Sequence, residues 1–188
     1  VVHTRWYVPS GPRASEGSRI RPPPTFDCKN GRLLNRGSLR PCAIPSVTPL
    51  GDEIFFCAND GSTGNELWRS DGTSSGTLIV RDIQSGTQGS DPKYLTNVGG
   101  ILYFSANDST SRTELWRSDG TSSGTILVRD INAGTGDSNP KYLTEVNGIL
   151  YFQAVTSAAG AELWRSDGSS VGTTLVRDIR NGTASSAP

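Results

Sequence analysis

Three blocks recur at a spacing of 48 residues, and that period limits what the chain can fold into more than any other feature. Trp68, Trp116 and Trp164 are 48 residues apart, as are Asp82, Asp130 and Asp178, and Pro92, Pro140 and Pro188. Twelve consecutive residues are identical in the first two units: Glu66 to Thr77 and Glu114 to Thr125 both read ELWRSDGTSSGT. The third unit reads ELWRSDGSSVGT from Glu162 to Thr173. A fixed period of this length is the signature of a repeat architecture, in which each unit is one supersecondary element. The units run 44–91, 92–139 and 140–187, and Pro188 sits where a fourth would begin.

Each unit offers four short apolar runs bounded by turn formers. In the second unit they are Lys93–Val98, Ile101–Ala106, Glu114–Ser118 and Thr125–Ile131, all rich in β-branched and aromatic residues. Gly99-Gly100 separates the first two runs, and Asn147-Gly148 does so in the third unit. Such dipeptides mark two-residue hairpins, because both central positions need positive φ. The segment Asp119 to Gly124 joins the last two runs. Its aspartate can accept from nearby backbone N–H groups while the glycines take left-handed conformations. Four antiparallel strands in about 48 residues describe one propeller blade, close to the kelch period.

The expected fold is therefore all-β: a β-propeller-like tandem repeat of three four-stranded antiparallel blades, with Trp68, Trp116 and Trp164 packed between them. A linear stack of sheets is the alternative. Propellers close with four to eight blades, and a repeat cannot bury its face alone. Three units thus imply an incomplete or open ring, further repeats, or association of chains.

Residues 1–43 lie outside the repeat and read as an irregular N-terminal segment. Pro22 to Pro24 forbid helix and favour an extended conformation. This segment holds eight Lys/Arg against two Asp/Glu, whereas residues 44–188 hold ten against sixteen. The repeat region is mildly acidic and lacks the basic face that nucleic acid requires. No run of 18 apolar residues indicates a transmembrane helix. Val1 to Tyr7, interrupted by His3 and Arg5, carries no apolar stretch of a secretion signal. Cys28 and Cys42 could close a loop in the N-terminal segment, leaving Cys57 as the odd thiol; the alternative is that all three are unpaired.

The block ELWRSDGTSSGTLIVRD from Glu66 to Asp82, with its two copies, resembles the ELWxxDGT repeat family. The match includes Glu66, Leu67, Trp68, Asp71, Gly72, Thr73, Gly76 and Thr77, and the preceding Leu102-Tyr103-Phe104 with Ala106. Ser169 departs from it where the first two units have Thr, and residues 1–43 have no counterpart. The resemblance implies a propeller-like repeat of secreted or cell-surface proteins, often beside adhesion modules, and no catalytic activity.

Few residues carry chemistry. The single histidine, His3, lies in the N-terminal segment, so the Ser-His-Asp and Cys-His arrangements have no base in the repeat. Most carboxylates recur in every unit. Asp71, Asp119 and Asp167 are read as turn caps, with Glu66–Arg69 and Arg81–Asp71 as ion pairs. The non-repeated acids Asp52, Glu53, Asp91, Asp137 and Glu145 single out no glycosidase pair. Asp60 and Asp108 are weak candidates for Ca²⁺, without an EF-hand pattern around them. Asn107 and Asn181 begin N-glycosylation tripeptides. The expectation is a non-enzymatic extracellular or cell-surface module for adhesion, assembly or scaffolding, with no required cofactor; a carbohydrate-binding or carbohydrate-active propeller is the alternative. Its partner would be a protein or glycan surface, further repeats or another copy of itself. The loops that differ between units, 60–65, 108–113 and 156–161, are where a ligand would be met.

Overall fold

The computed structural model describes residues 47–134 and 136–188, together with the backbone of 25–27 and 32–34. The chain divides into two compact units, Val1–Cys42 and Ala43–Pro188. In the first, strands β1 (Thr25–Asp27) and β2 (Arg32–Leu34) pair antiparallel, so the segment read as irregular contains one short hairpin.

The second unit is three four-stranded antiparallel sheets, each a simple meander in chain order. The first blade is β3 (Thr48–Leu50), β4 (Glu53–Asn59), β5 (Asn65–Ser70) and β6 (Leu78–Arg81). The second is β7 (Lys93–Val98), β8 (Ile101–Asn107), β9 (Thr113–Ser118) and β10 (Ile126–Arg129). The third is β11 (Lys141–Val146), β12 (Ile149–Thr156), β13 (Gly160–Ser166) and β14 (Thr174–Arg177). The described residues contain no helix, and the arrangement is that of an incomplete propeller. The hairpin dipeptides take the expected left-handed geometry, with φ of 59° and 87° at Gly99 and Gly100 and 53° and 78° at Asn147 and Gly148. The fourth strand is shorter than its apolar run. Thr125 leaves the ladder to bond Ser118 and the Thr121 carbonyl in the turn, and Ile131 lies beyond β10 in the connection to the next blade.

Alternation along the middle strands gives each blade two apolar faces. On the second blade, Leu102, Phe104, Ala106 and Trp116 join Leu50, Phe55, Leu67, Val80 and Ile83 of the first blade in one core. The opposite face, with Val98, Tyr103, Leu115, Val128 and Ile131, joins Leu150, Phe152, Ala154 and Trp164 of the third blade in another. The pairing Phe104↔Trp116 puts both rings on one side, and Phe152↔Trp164 does the same in the third blade. The core therefore sits between blades rather than within one.

Candidate functional site

Two regions of the repeat unit present chemistry: the seam between blades, and the edge where the variable loops meet the inter-blade connections.

The seam is built from the repeated motif. In each blade the register between the third and fourth strands shifts, between Leu67/Trp68, Leu127/Arg129 and Leu163/Trp164. A bulge adds one residue and re-aims its neighbours. In consequence Val128 packs into the core shared with the third blade, and the next residue, Arg129, also reaches that blade. Arg129 Nη1 donates to the Thr173 carbonyl at 2.5 Å, as Arg81 Nη1 does to the Thr125 carbonyl. Arg81 thus latches two blades instead of pairing with Asp71. Arg69 meets Glu53 at 3.0 Å, not Glu66; with both side chains about a third exposed, that pair is worth under about 1 kcal/mol.

Asp71, Asp119 and Asp167 hold the turn between the last two strands. Asp71 Oδ1 accepts from Thr73 N and Oγ1 at 2.9 and 2.7 Å, and Asp119 and Asp167 repeat the contact with Thr121 and Ser169. The hydroxyl bond, then the backbone bond, keep all three carboxyls below the usual aspartate range. Gly76, Gly124 and Gly172 close over these carboxylates so tightly that a methyl group at Gly124 would overlap Asp119 Oδ1, 2.0 Å away. In the second and third blades the glycine after the aspartate faces the preceding blade. A methyl group at Gly168 would stand 2.1 Å from the Tyr103 hydroxyl, and one at Gly120 would stand 3.1 Å from the Phe55 ring.

Trp116 and Trp164 lie in the two inter-blade cores. Trp68 lies partly buried on the outer face of the first blade, with no described sheet against it. The indole nitrogens of all three find no acceptor among the described residues, so packing holds them, not hydrogen bonding.

The glutamates of the motif are fully buried, a role their position beside an arginine did not announce. Glu66 accepts from the backbone of Ile83, Gln84 and Ser90 and from the Ser90 hydroxyl, the last at 2.5 Å. Glu114 and Glu162 hold Ile131 with Ser138, and Ile179 with Ser186, in the same way. Each carboxylate anchors the connection leading out of its blade. The recurring Ser-x-Pro at 90–92, 138–140 and 186–188 is the sequence signal that could have revealed it. Burial raises the pKa of Glu66 and pushes Glu114 up to about 7. Glu162 moves the other way, lowered chiefly by the Ser186 hydroxyl. Water reaches Glu162 no more than Glu114. At Glu162 the Ser186 hydroxyl bond is the largest influence and desolvation comes second. Its hydrogen bonds therefore outweigh desolvation.

At the loop edge, the ends of the variable loops are tied down. Asn65 receives Asp91 N at 3.0 Å, Thr113 O receives Ser138 N at 3.1 Å, and Ala161 O receives Ser186 N at 3.1 Å. The tips stay exposed. Asp60 Oδ1 accepts from Ser62 N, Thr63 N and Thr63 Oγ1, which lower its pKa, and Asp108 Oδ1 accepts from Thr110 N and Ser111 N. No group of three or more His, Cys, Asp or Glu able to hold a metal occurs among the described residues. Asn107 is partly buried with its Oδ1 on Ser109 N, and Asn181 is exposed. Cys57 is an unpaired thiol with its pKa raised to about 11, mainly by burial; Cys28 and Cys42 lie outside the described residues.

Beside these loops a cleft of about 200 Å³ opens between the second and third blades, lined among others by Asp91, Lys93, Tyr94, Asn139 and Lys141. Tyr94 and Tyr142 occupy bulges in the first strands of their blades, with φ of 58° and 57°, unusual for a bulky side chain. Both rings are exposed, and their centroids are 6.3 Å apart at 55°.

Comparison with models of known families, with curated proteins and with solved structures finds no match. No helix of the described residues is long and apolar enough to cross a membrane.

Proposed function

We infer that the chain is a non-enzymatic repeat module for assembly or structural scaffolding, in the secreted or cell-surface setting that its resemblance to the ELWxxDGT repeats implies. One observation carries this reading. Asp71, Glu66 and Arg81, with their equivalents in the second unit, are engaged with their own blade or with the next: Asp71 in its turn, Glu66 on its connection, Arg81 on the Thr125 carbonyl. A catalytic group would have to be free to meet a substrate. What the module offers to partners is its loop tips and its outermost blade faces.

A carbohydrate-binding role is the second reading, favoured by the exposed Tyr94–Tyr142 pair beside a polar cleft. Aromatic rings present an apolar face with a polar tip, the chemistry that meets both the C–H and O–H sides of a sugar. A glycan array combined with a hydrolase screen tests both. The scaffold reading expects no turnover in the screen and no array signal that Tyr94→Ala with Tyr142→Ala abolishes. An array signal lost in that double variant would favour the second reading, and turnover of any glycan would overturn the first.

A further inference from the structure

The seam between blades has the same parts at both junctions. At the first, Arg81 donates to the Thr125 carbonyl, Phe55 sits against Gly120, and Leu67, Val80 and Ile83 share a core with Phe104 and Trp116. At the second, Arg129 donates to the Thr173 carbonyl, Tyr103 closes on Gly168, and Leu115, Val128 and Ile131 share a core with Phe152 and Trp164. One face donates, and the other accepts.

Each face has one more copy among the described residues. The third blade carries the donating set: Tyr151, Leu163, Val176, Arg177 and Ile179. Val176 and Ile179 are 46% and 59% exposed, where their equivalents Val128 and Ile131 are 5% and 7% exposed. Arg177 is exposed, where Arg81 and Arg129 are half-buried on a carbonyl. The first blade carries the accepting set. Ile54 is 41% exposed where Leu102 and Leu150 are fully buried. Phe56 and Trp68 are only partly buried. Gly72 has no atom within 4 Å of the place where a methyl group would stand, unlike Gly120 and Gly168.

We propose that the outer face of the third blade docks, head to tail, onto the outer face of the first blade of a second copy of this chain. The occupant is named by the two seams already present. Arg177 finds the second copy's Thr77 carbonyl, Tyr151 seats over its Gly72, and Val176 and Ile179 cover its Ile54, Phe56 and Trp68. A heterologous contact gives either a ring or a filament, according to whether its rotation closes. Propellers close with four to eight blades. Two copies of these three blades make six and three copies make nine, so a ring within that range closes as a dimer with two identical seams. This rests on the assembly reading above and names its partner.

Sedimentation velocity of the full chain over a wide concentration range tests it. The expected result is a species of twice the 20.0 kDa chain mass. Val176→Glu and Ile54→Glu alter exposed side chains on opposite faces, so each should keep the wild-type circular dichroism spectrum and sediment as a monomer. In a mixture of the two, one intact third-blade face meets one intact first-blade face, and the dimer should return in part. A wild-type monomer at every concentration overturns the proposal, whether that face then meets another segment or another protein. So does a dimer that survives both substitutions, or a mixture that stays monomeric. A monomer without hydrolase turnover would leave the scaffold reading standing, whereas that reading fails by turnover alone.

Discussion

Arg81 on the first blade donates from Nη1 to the main-chain carbonyl of Thr125 on the second, 2.5 Å away, and Arg129 repeats the bond to Thr173. The bond runs from a charged donor across a half-buried seam, where such bonds contribute about 1.5–3 kcal/mol. Arg129→Ala should therefore lower stability by about 1–2 kcal/mol in urea denaturation, the partial exposure placing it toward the low end. Arg177→Ala, in dilute monomeric protein, should change it by less than about 0.5 kcal/mol. Equal losses at the two positions would refute the latch.

The two tryptophans Trp116 and Trp68 occupy the same motif position with different surroundings. Trp116 is 5% exposed inside the core shared by two blades, while Trp68 lies on an outer face. Trp116→Ala should remove about 3–5 kcal/mol, the usual range for deleting a buried aromatic ring. Trp68→Ala should remove about 1–2 kcal/mol, in proportion to the smaller area it covers. Thermal denaturation monitored by circular dichroism distinguishes them, and identical melting temperatures would mean that the inter-blade core is not what holds Trp116.

These differences mark what a repeat makes legible and what it hides. Period, strand number and hairpin positions follow from Trp68, Trp116 and Trp164 and from dipeptides such as Asn147-Gly148, because local φ requirements and alternation act within one unit. Partners across units follow a different rule. Arg81 looked like a partner for Asp71, since both sit in one hairpin, but a bulge at Val80 turns it toward the next blade. Glu66 looked like the partner of Arg69, three residues away. On a strand its side chain points to the opposite face from Arg69, and the connection beyond Ile83 folds back onto it. The variable loops are where a ligand is expected, yet Asn65, Thr113 and Ala161 at their ends hold the connections between blades. Contacts between units depend on how blades are placed, and the residues of a single unit do not encode that placement alone.

Gly168 and Gly72 share φ of 90° and differ in what faces them. Alanine at Gly72 meets open space and should cost about 1–2 kcal/mol for its left-handed conformation alone. Alanine at Gly168 also meets the Tyr103 hydroxyl, and Tyr103 is itself buried, so its ring has little room to swing away. Overpacking of this kind adds about 1–3 kcal/mol. Gly168→Ala should therefore be the more destabilising of the two, and Gly168→Ala combined with Tyr103→Phe should recover part of the difference. If the double variant were no more stable than Gly168→Ala, the close approach would not be the cause.

Glu114 and Glu162 hold the same position in the repeat and should titrate on opposite sides of an ordinary glutamate. Burial raises Glu114 from 4.5 to about 7, while the Ser186 hydroxyl and backbone donors lower Glu162. Between pH 4.5 and 7 the folded chain keeps a proton on Glu114 that the unfolded chain has released. Stability contributed by Glu114 therefore falls as pH rises through that window. Asp71, Asp119 and Asp167 act with the reverse sign: their lowered values stabilise the fold above the aspartate range, and that contribution is lost as pH falls. Carbon-detected NMR of the side-chain carboxyls should give Glu114 a midpoint near 7 and Glu162 one below 4.5. In urea denaturation, Glu114→Gln should be less stable throughout, because an amide accepts fewer of these bonds. It should also lose the decline that the wild type shows between pH 4.5 and 7. A Glu114 midpoint at or below that of Glu162 would show that the second inter-blade connection leaves this carboxyl in water.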